Sequence, residues 1–188
     1  MPARLPGRYH SGGDVSPTQY VCMHPLGPLA ELMRSSSTRK PDQVRQIRAR
    51  TWALRLEVEG LPQIDFDNAV DFELEAEDLI ADDHARCRRL AHKLRAQSFA
   101  GIVVPSAALP GTRNVVIFGP RVGSPYLDDP VAEVDVPASI TADSGRPILS
   151  LLDRVRFVGE SHAAFEAWKA GDRFDFDEPA WELTAERT

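Results

Sequence analysis

The sequence predicts an α+β fold, with a pair of small, twisted and mostly antiparallel sheets and helices packed around them. Two stretches are typical of strands, because residues 101–104 are apolar apart from their glycine and residues 114–118 are rich in β-branched side chains. Residues 82–97 are typical of an amphipathic helix, because their apolar side chains recur at helical spacing. The apolar face of this helix comprises Cys87, Leu90, Ala91 and Leu94.

The composition favours one globular domain and argues against several classes of protein. The chain has 188 residues, 43% of them hydrophobic, which is enough to bury a sizeable core. A net charge of −6 argues against a protein that binds nucleic acid over its whole surface. Cys22 and Cys87 belong to no CxxC pair and suggest no disulfide framework. No apolar run reaches membrane-spanning length and the N-terminus has no signal-peptide core, so we expect a cytoplasmic protein.

The first residues of the chain carry the groups that suggest a binding site. Arg8 follows a glycine and precedes a loop rich in glycine. Residues 18–23 then predict a short apolar strand that carries Tyr20. After the break at Pro25 we expect a helix that places Glu31 among leucine and alanine side chains.

Arg8, Tyr20 and Glu31 together suit a ligand that has phosphates and a flat ring. The guanidinium fits phosphate oxygens in bidentate fashion, the phenol ring offers a face for stacking, and the carboxylate can stabilise positive charge or orient a hydroxyl. Each also has an ordinary structural interpretation: a surface arginine in a turn, a core tyrosine and a solvated glutamate. Since a glutamate is rarely buried without a partner, we expect an arginine or a ligand hydroxyl beside Glu31.

The middle of the chain predicts connectors and short strands. Residues 34–50 are basic and rich in serine, and we interpret them as a solvated connector with a short helix after Pro41; contact with nucleic acid or an acidic partner is the alternative. Residues 52–58 alternate between apolar and polar side chains, which predicts a half-buried strand. Residues 64–67 predict a second short strand that ends in an aspartate and asparagine turn. This turn lacks the glycine and the closing glutamate of a calcium loop.

The central helix and strands carry four further candidate residues. His84, Cys87 and His92 do not all share one helix face and have no evident fourth ligand, so we expect no metal site. Ser106 follows the first of the two strands, but no G-x-S-x-G motif surrounds it, so a hydrolase nucleophile is not expected. Residues 109–113 contain a Pro-Gly pair and predict a hairpin-like link to the second strand.

The C-terminal part has weaker patterns. Residues 119–130 form a loop rich in glycine and proline, and residues 131–136 and 155–158 predict weak strands. Residues 161–171 predict a short helix. The acidic end, residues 172–188, carries aromatic side chains; packing across the sheet, binding of a partner and partial disorder all stay open.

Four motifs occur in an order that is familiar from one family. They are a Gly-Arg pair followed by an aromatic residue at 7–9, PLGPLAE at 25–31, GIVVPSA at 101–107 and RNVVIF at 113–118. In this order they resemble the RES domain, a family named for its arginine, glutamate and serine. The resemblance covers roughly residues 7–121.

The resemblance implies a fold similar to that of ADP-ribosyltransferases. It implies a RES domain in residues 1–160 and an acidic C-terminal helix or tail in residues 161–188. In the family, a strand that carries another arginine precedes the Gly-Arg loop. Few residues precede that loop here, so either the given chain starts late or this strand and one ligand contact are missing.

The resemblance also implies a function. RES domains act as toxins that destroy NAD, each paired with an antitoxin, so the expected reaction is cleavage of the nicotinamide–ribose bond by water or phosphate. Arg8 would hold the pyrophosphate, Tyr20 the nicotinamide or ribose side, and Ser106 the substrate. Glu31 would orient the ribose or stabilise its positive charge. NAD is then the substrate and no metal cofactor is expected.

The expected partners and two alternative functions follow from the same resemblance. A cognate antitoxin is expected, a homo-oligomer is open, no membrane is involved, and nucleic acid enters only through the antitoxin. One alternative is a catalytically degenerate RES domain that acts as a binding module. The other is a protein ADP-ribosyltransferase.

Overall fold

The computed structural model describes residues 6–14, 17–47, 56, 58–119 and 151–172, and it confirms the α+β class. Three strands form the centre: β1 (Thr18–Cys22), β2 (Gly101–Pro105) and β3 (Arg113–Phe118). They make an antiparallel sheet in the order β1–β3–β2. This is the one sheet of the described residues, so the second predicted sheet is not among them. The finer likeness to ADP-ribosyltransferases stays a prediction.

The register of the strands sorts their side chains onto two faces. Cys22 and Val104 lie opposite Asn114 from the two neighbouring strands, and Tyr20 lies opposite Val116. Because directly opposed residues project to the same side, these five side chains share one face, which we call the Asn114 face. A smaller cluster covers the other face, with Val103, Val115 and Ile117 at its centre.

Helix α3, Ala85–Ala96, packs on part of the Asn114 face. Its buried residues are the four that the sequence predicts: Cys87, Leu90, Ala91 and Leu94. The helix begins at Ala85, three residues later than predicted, because Asp83 lies outside it and accepts a hydrogen bond from the Ala85 N–H (2.9 Å). The predicted amphipathic helix is therefore confirmed with a shorter start.

Helix α1, Gly27–Ser35, lies beside β1 and has Pro28 in its first turn, where the missing N–H costs no hydrogen bond. Its buried side chains pack in a second cluster, which includes Leu29, Ala30, Met33, Leu109, Leu151 and Phe157. A side chain at Gly27 would lie 2.5 Å from Cys22 Cβ. Glycine therefore allows the helix to begin directly against the strand, which brings Glu31 over the sheet.

Two shorter α-helices and two 3₁₀-helices, Ala69–Phe72 and Ala76–Leu79, complete the described structure. Helix α2 is Pro41–Val44, so the predicted helix after Pro41 is present but short. Helix α4 is Ala163–Lys169 and confirms the predicted helix within residues 161–171. Phe165 of α4 packs in the main core, and Trp168 Nε1–H donates to Asp67 Oδ1 (2.7 Å). None of the helices in the described ranges is both long and apolar enough to cross a membrane.

The prediction of a strand at residues 64–67 is wrong. A single parallel bridge joins Gln63 to Val103, and the chain then turns. Asp65 Oδ1 accepts hydrogen bonds from the N–H groups of Asp67 (3.0 Å) and Asn68 (3.2 Å). This side-chain competition for backbone donors ends the extended segment, and it confirms the turn-forming role of these residues.

The prediction of a strand at residues 155–158 is also wrong. The segment has no partner strand among the described residues, and its Arg156 N–H donates to the Ala108 carbonyl (2.8 Å) in an isolated bond. Val155 and Phe157 are apolar because they are buried in the α1 cluster. The predicted strand at 131–136, the loop after 119, and the end of the chain after residue 172 lie outside the described residues. So does the predicted strand at 52–58, except for residues 56 and 58.

Candidate functional site

A cleft of about 570 Å³ lies over the Asn114 face, between β1, α1 and the segment before α3. The sheet contributes Tyr20, Cys22, Val104, Asn114 and Val116 to its lining. Charged and titratable side chains come from the surrounding segments: Arg8, Glu31, Arg34, Asp82 and His84. The cleft therefore combines an apolar sheet surface with a few charged groups, as is common in sites that bind small molecules.

The turn that carries Arg8 is fastened to β1 through the hydroxyl of Tyr20. The Tyr9 N–H donates to Tyr20 Oη (2.9 Å), and His10 Nδ1 lies 3.0 Å from the same oxygen. The Gly7 N–H donates to the His10 carbonyl (3.1 Å) and closes the turn. A side chain at Gly7 would lie 2.4 Å from the His10 ring. The close turn buries Tyr9 in the core and leaves Arg8 on the cleft.

The polar groups of Arg8 and Tyr20 differ in charge and in hydrogen bonding. Arg8 Nη1 donates a long hydrogen bond (3.4 Å) to the Asp78 carbonyl, which orients the guanidinium and uses one of its five donors. The Tyr20 side chain is 40% exposed. Burial of its hydroxyl raises the pKa of Tyr20 to about 12, against the smaller opposing effect of the Tyr9 N–H. Tyr20 is therefore a neutral phenol whose partly exposed side chain lines the cleft.

Glu31 is held by two neutral donors. Asn114 Nδ2–H donates to Glu31 Oε1 (2.9 Å), and the Ser106 hydroxyl donates to the same oxygen (3.4 Å). Ser106 itself is fully buried, and its Oγ accepts a hydrogen bond from the Leu109 N–H (3.1 Å). An amide and a hydroxyl of the protein thus stand where the sequence suggested an arginine or a ligand hydroxyl. Such partners orient the carboxylate without neutralising its charge.

Asn114 is a candidate that sequence reasoning missed. It is 8% exposed and lies in β3 among β-branched residues. Its Oδ1 is buried without a hydrogen-bond partner in the described part of the chain. The sequence offered one indication of its role, which is its place in a predicted strand. Asparagine is disfavoured inside a strand, so its presence there needs a reason.

Arg34 corrects the interpretation of residues 34–50 as a solvated connector. It is 8% exposed, and its Nη2 donates to Asp82 Oδ1 (2.5 Å) while Nη1 donates to the Arg156 carbonyl (2.9 Å). Arg156 Nη1 donates to the same Asp82 oxygen (3.2 Å). Two buried guanidinium groups therefore share one carboxylate at the wall of the cleft.

Asp82 stays ionised in this cluster. Burial acts to raise the pKa of its carboxyl group, but the hydrogen bonds from the Gly159 N–H and Arg34 and the positive charges of Arg156 and Arg34 outweigh it. The pKa of Asp82 therefore lies below its usual value. The cluster connects α1, the segment before α3 and the segment around Arg156.

Two other titratable groups on the cleft are neutral near pH 7. Burial, followed by the positive charges of Arg8, Arg88 and Arg34, lowers the pKa of His84 to about 4. Burial, followed by the negative charge of Glu31, raises the pKa of the Cys22 thiol to about 12. A thiolate nucleophile at Cys22 is therefore disfavoured.

The histidines and cysteine of α3 and its approach lie in separate environments. His84 lines the cleft, Cys87 is in the core, and the exposed His92 lies 3.1 Å from Ser11 Oγ. In the part of the chain that the structure describes, no three histidine, cysteine, aspartate or glutamate side chains are grouped to hold a metal ion.

The four candidate residues of the sequence converge on this region. Arg8, Tyr20 and Glu31 line the same cleft. Ser106 does not line it; the serine lies behind Glu31 and contacts the carboxylate. Direct contact of Ser106 with a substrate stays a prediction, and so do the catalytic roles of the other three residues.

Comparison with known protein families identifies the family of this chain. Residues 1–138 match the RES domain. This chain belongs to the RES domain family. The RES match ends before residues 151–172, although that segment supplies Arg156 and Val158 to the surroundings of the cleft.

One relative of this RES protein comes from Mycobacterium tuberculosis and is named a probable NAD(+) phosphorylase. It is 29% identical over 117 residues, which are 62% of this chain and 55% of that protein. The RES protein described here thus matches about half the length of that relative. No solved structure matches the chain.

Proposed function

We propose that this RES protein cleaves the bond between nicotinamide and ribose in NAD. The observation that supports the proposal most is the convergence of Arg8, Tyr20 and Glu31 on one cleft, with Ser106 and Asn114 holding the carboxylate. Arg8 and Asn114, which lie 106 positions apart in the chain, thereby line a single cleft. The name of the mycobacterial relative points to the same substrate.

Glu31 is the group on which the chemistry depends. As the bond between ribose C1′ and the nicotinamide nitrogen breaks, its electron pair leaves with nicotinamide and positive charge develops on the ribose. A fixed carboxylate stabilises that charge in the transition state more than in the ground state. The donors on Glu31 Oε1 fix the orientation of the carboxylate, which costs no reorganisation during the reaction.

Arg8 and Tyr20 bind the two ends of the substrate in this proposal. Arg8 has donors to spare for the pyrophosphate oxygens. The cluster of Arg34, Arg156 and Asp82 has two cations and one anion, so it adds a net positive charge at the cleft wall. The partly exposed ring of Tyr20 stacks on the nicotinamide or packs against its ribose. Because Tyr20 also fastens the Arg8 turn, loss of its hydroxyl would disturb both contacts.

The acceptor is water or phosphate. An oxygen of the acceptor forms the new bond to C1′ and its proton passes to the solvent, so the products are ADP-ribose or ADP-ribose 1″-phosphate together with nicotinamide. The name of the relative favours phosphate. The biological setting that we propose is a toxin whose NAD consumption is neutralised by a cognate antitoxin.

The decisive experiment measures nicotinamide released from NAD by the purified full chain, with and without phosphate. Glu31→Gln keeps the hydrogen-bonding shape and removes the charge, so we expect turnover to fall about 10²–10³-fold. Glu59→Gln is the matched control, because Glu59 is exposed and lies outside the cleft. Its turnover should equal that of the wild type.

Two results would contradict the proposal. One is a folded wild-type protein that releases no nicotinamide under either condition; the other is Glu31→Gln with undiminished turnover. Label transfer from NAD to a macromolecule would instead indicate a protein ADP-ribosyltransferase. Growth arrest on expression, relieved by Glu31→Gln, tests the toxin role separately from the chemistry.

A further inference from the structure

We propose that His162 is a positioning residue for this reaction, which holds the Ser106 turn and, through it, Glu31. The inference rests on the proposed function. His162 lies outside residues 1–138, the part that matches the RES domain. The catalytic unit would therefore include the start of α4.

The contacts of His162 determine which of its nitrogens carries the proton. The ring is 2% exposed, and Nδ1 accepts a hydrogen bond from the Phe165 N–H (3.2 Å). Nδ1 must then be the unprotonated nitrogen, so Nε2 carries the hydrogen and donates it to the Ser106 carbonyl (3.0 Å). Burial lowers the pKa of His162 to about 4, which keeps the ring in this neutral form near pH 7.

Ser106 is held at three points, and His162 supplies the one from a distant element. Within its own turn, the Ser106 N–H donates to the Thr112 carbonyl (2.8 Å), and its Oγ accepts from the Leu109 N–H (3.1 Å). His162 fixes the remaining backbone group, the carbonyl oxygen. The Ser106 hydroxyl then donates to Glu31 (3.4 Å).

Helix capping alone does not account for a histidine at this position. His162 is the N-cap of α4, a role that serine, threonine, asparagine and aspartate fill best. A cap needs one acceptor near Cβ, which is the place of Nδ1. The more distant Nε2 is needed only for the Ser106 carbonyl, so the two functions of the ring lie on different atoms.

Because the two functions of the ring lie on different atoms, two amide substitutions can remove them one at a time. In His162→Asn the amide oxygen reaches the place of Nδ1, which preserves the cap but leaves the Ser106 carbonyl without its donor. In His162→Gln the amide nitrogen reaches the place of Nε2, which preserves the Ser106 bond and loses the cap. Both lose the ring, so its packing against Phe66 is removed equally.

We expect stability and turnover to rank the two variants in opposite order. His162→Asn should have the higher Tm and the lower kcat, about tenfold below the wild type for one lost hydrogen bond, with KM changed less than about twofold. His162→Gln should have the lower Tm and a kcat nearer the wild type. Arg89→Gln, at an exposed position of α3 away from the cleft, is the control and should change neither quantity.

A double-mutant cycle tests the path through the serine. If His162 acts through Ser106, then His162→Asn combined with Ser106→Ala should lose little more kcat than Ser106→Ala alone. The positioning role would be overturned if the kcat losses of His162→Asn and Ser106→Ala multiply in the double variant. It would also be overturned if the kcat of the two His162 variants ranks in the same order as their Tm. An inactive wild type would overturn the proposed function as well, whereas an active wild type with a fully active His162→Asn would overturn this inference alone.

Discussion

At the scale of single residues, the site differs from its sequence prediction mainly in what surrounds Glu31. The apolar neighbours of this residue in the chain indicated that it is not a solvated glutamate, and its partners in the fold are Asn114 and Ser106. Neither partner could be assigned from the sequence, because each lies at least 75 positions away. A motif specifies residue types, whereas a hydrogen bond depends on where the strands place them.

Arg8→Gln tests the second residue of the proposed site. Hydrogen bonds to a charged phosphate contribute about 1.5–3 kcal/mol, so we expect KM for NAD to rise about 10- to 100-fold while kcat changes less. Steady-state nicotinamide release measures both constants. Arg89→Gln, on the exposed side of α3, removes the same charge away from the cleft and should leave KM unchanged. A loss confined to kcat would show that Arg8 does not bind the ground-state substrate.

At the scale of elements, α1 positions the carboxylate, and a charge cluster holds α1 in place. Arg34 follows Glu31 by three positions, so it lies near the same helix face, and its guanidinium binds Asp82 and the Arg156 carbonyl. The serine and arginine content of residues 34–50 suggested a solvated connector. Composition was misleading here because the first arginine of the stretch still belongs to α1 and faces inward.

Asp82→Asn should destabilise the protein. The substitution leaves the guanidinium groups of Arg34 and Arg156 with a neutral partner, and removal of one member of a fully buried pair costs about 3–5 kcal/mol. Because the Asp82 side chain is 30% exposed, we expect a smaller loss of about 2 kcal/mol in the free energy of unfolding. Urea denaturation at pH 7 measures it, with the exposed Asp153→Asn as control.

The effect of Asp82→Asn should itself depend on pH. The pKa of the Asp82 carboxyl lies below its usual value of 3.8, so its contribution is present above that pH and is lost as the pH falls through the lowered value. The wild type and the variant should therefore converge in stability in strong acid. If the difference in stability between the wild type and Asp82→Asn stays constant down to pH 2, the carboxylate charge is not what stabilises the cluster.

At the scale of the whole molecule, α4 belongs to the same core as the sheet. Phe165 packs with residues of α3 and β3 in the main cluster, and His162 reaches the Ser106 turn. The boundary at residue 160 between a RES domain and a C-terminal helix or tail stays a prediction. The contacts favour a unit that continues through α4.

The pH dependence of stability tests this packing. The pKa of His162 is about 4 in the folded protein against 6.5 for the unfolded group. Between these two pH values, the imidazole is therefore protonated only in the unfolded chain. Stability should be fully present above pH 6.5 and should fall by a contribution on the order of 3 kcal/mol toward pH 4. Chemical denaturation between pH 4 and 7 should show that the stability of His162→Asn falls less steeply with decreasing pH than that of the wild type. The exposed-site variant Arg89→Gln should retain the wild-type slope, because arginine does not titrate in this pH range. An equal slope in all three proteins would contradict burial of a neutral His162.

Local patterns were sufficient for the class of the fold, for the three strands, for α1, α3 and α4, and for the order of motifs that marks the RES domain. Each of these depends on side chains close together in the chain, whose periodicity and turn chemistry are readable one stretch at a time. Strands at 64–67 and 155–158 were wrongly expected, because a short apolar pattern does not supply a neighbouring strand. The tertiary structure was needed to place Asn114 beside Glu31, Arg34 beside Asp82, and His162 behind Ser106. These contacts join segments between 48 and 83 positions apart, and only the packing of helices on the sheet brings such segments within hydrogen-bonding distance.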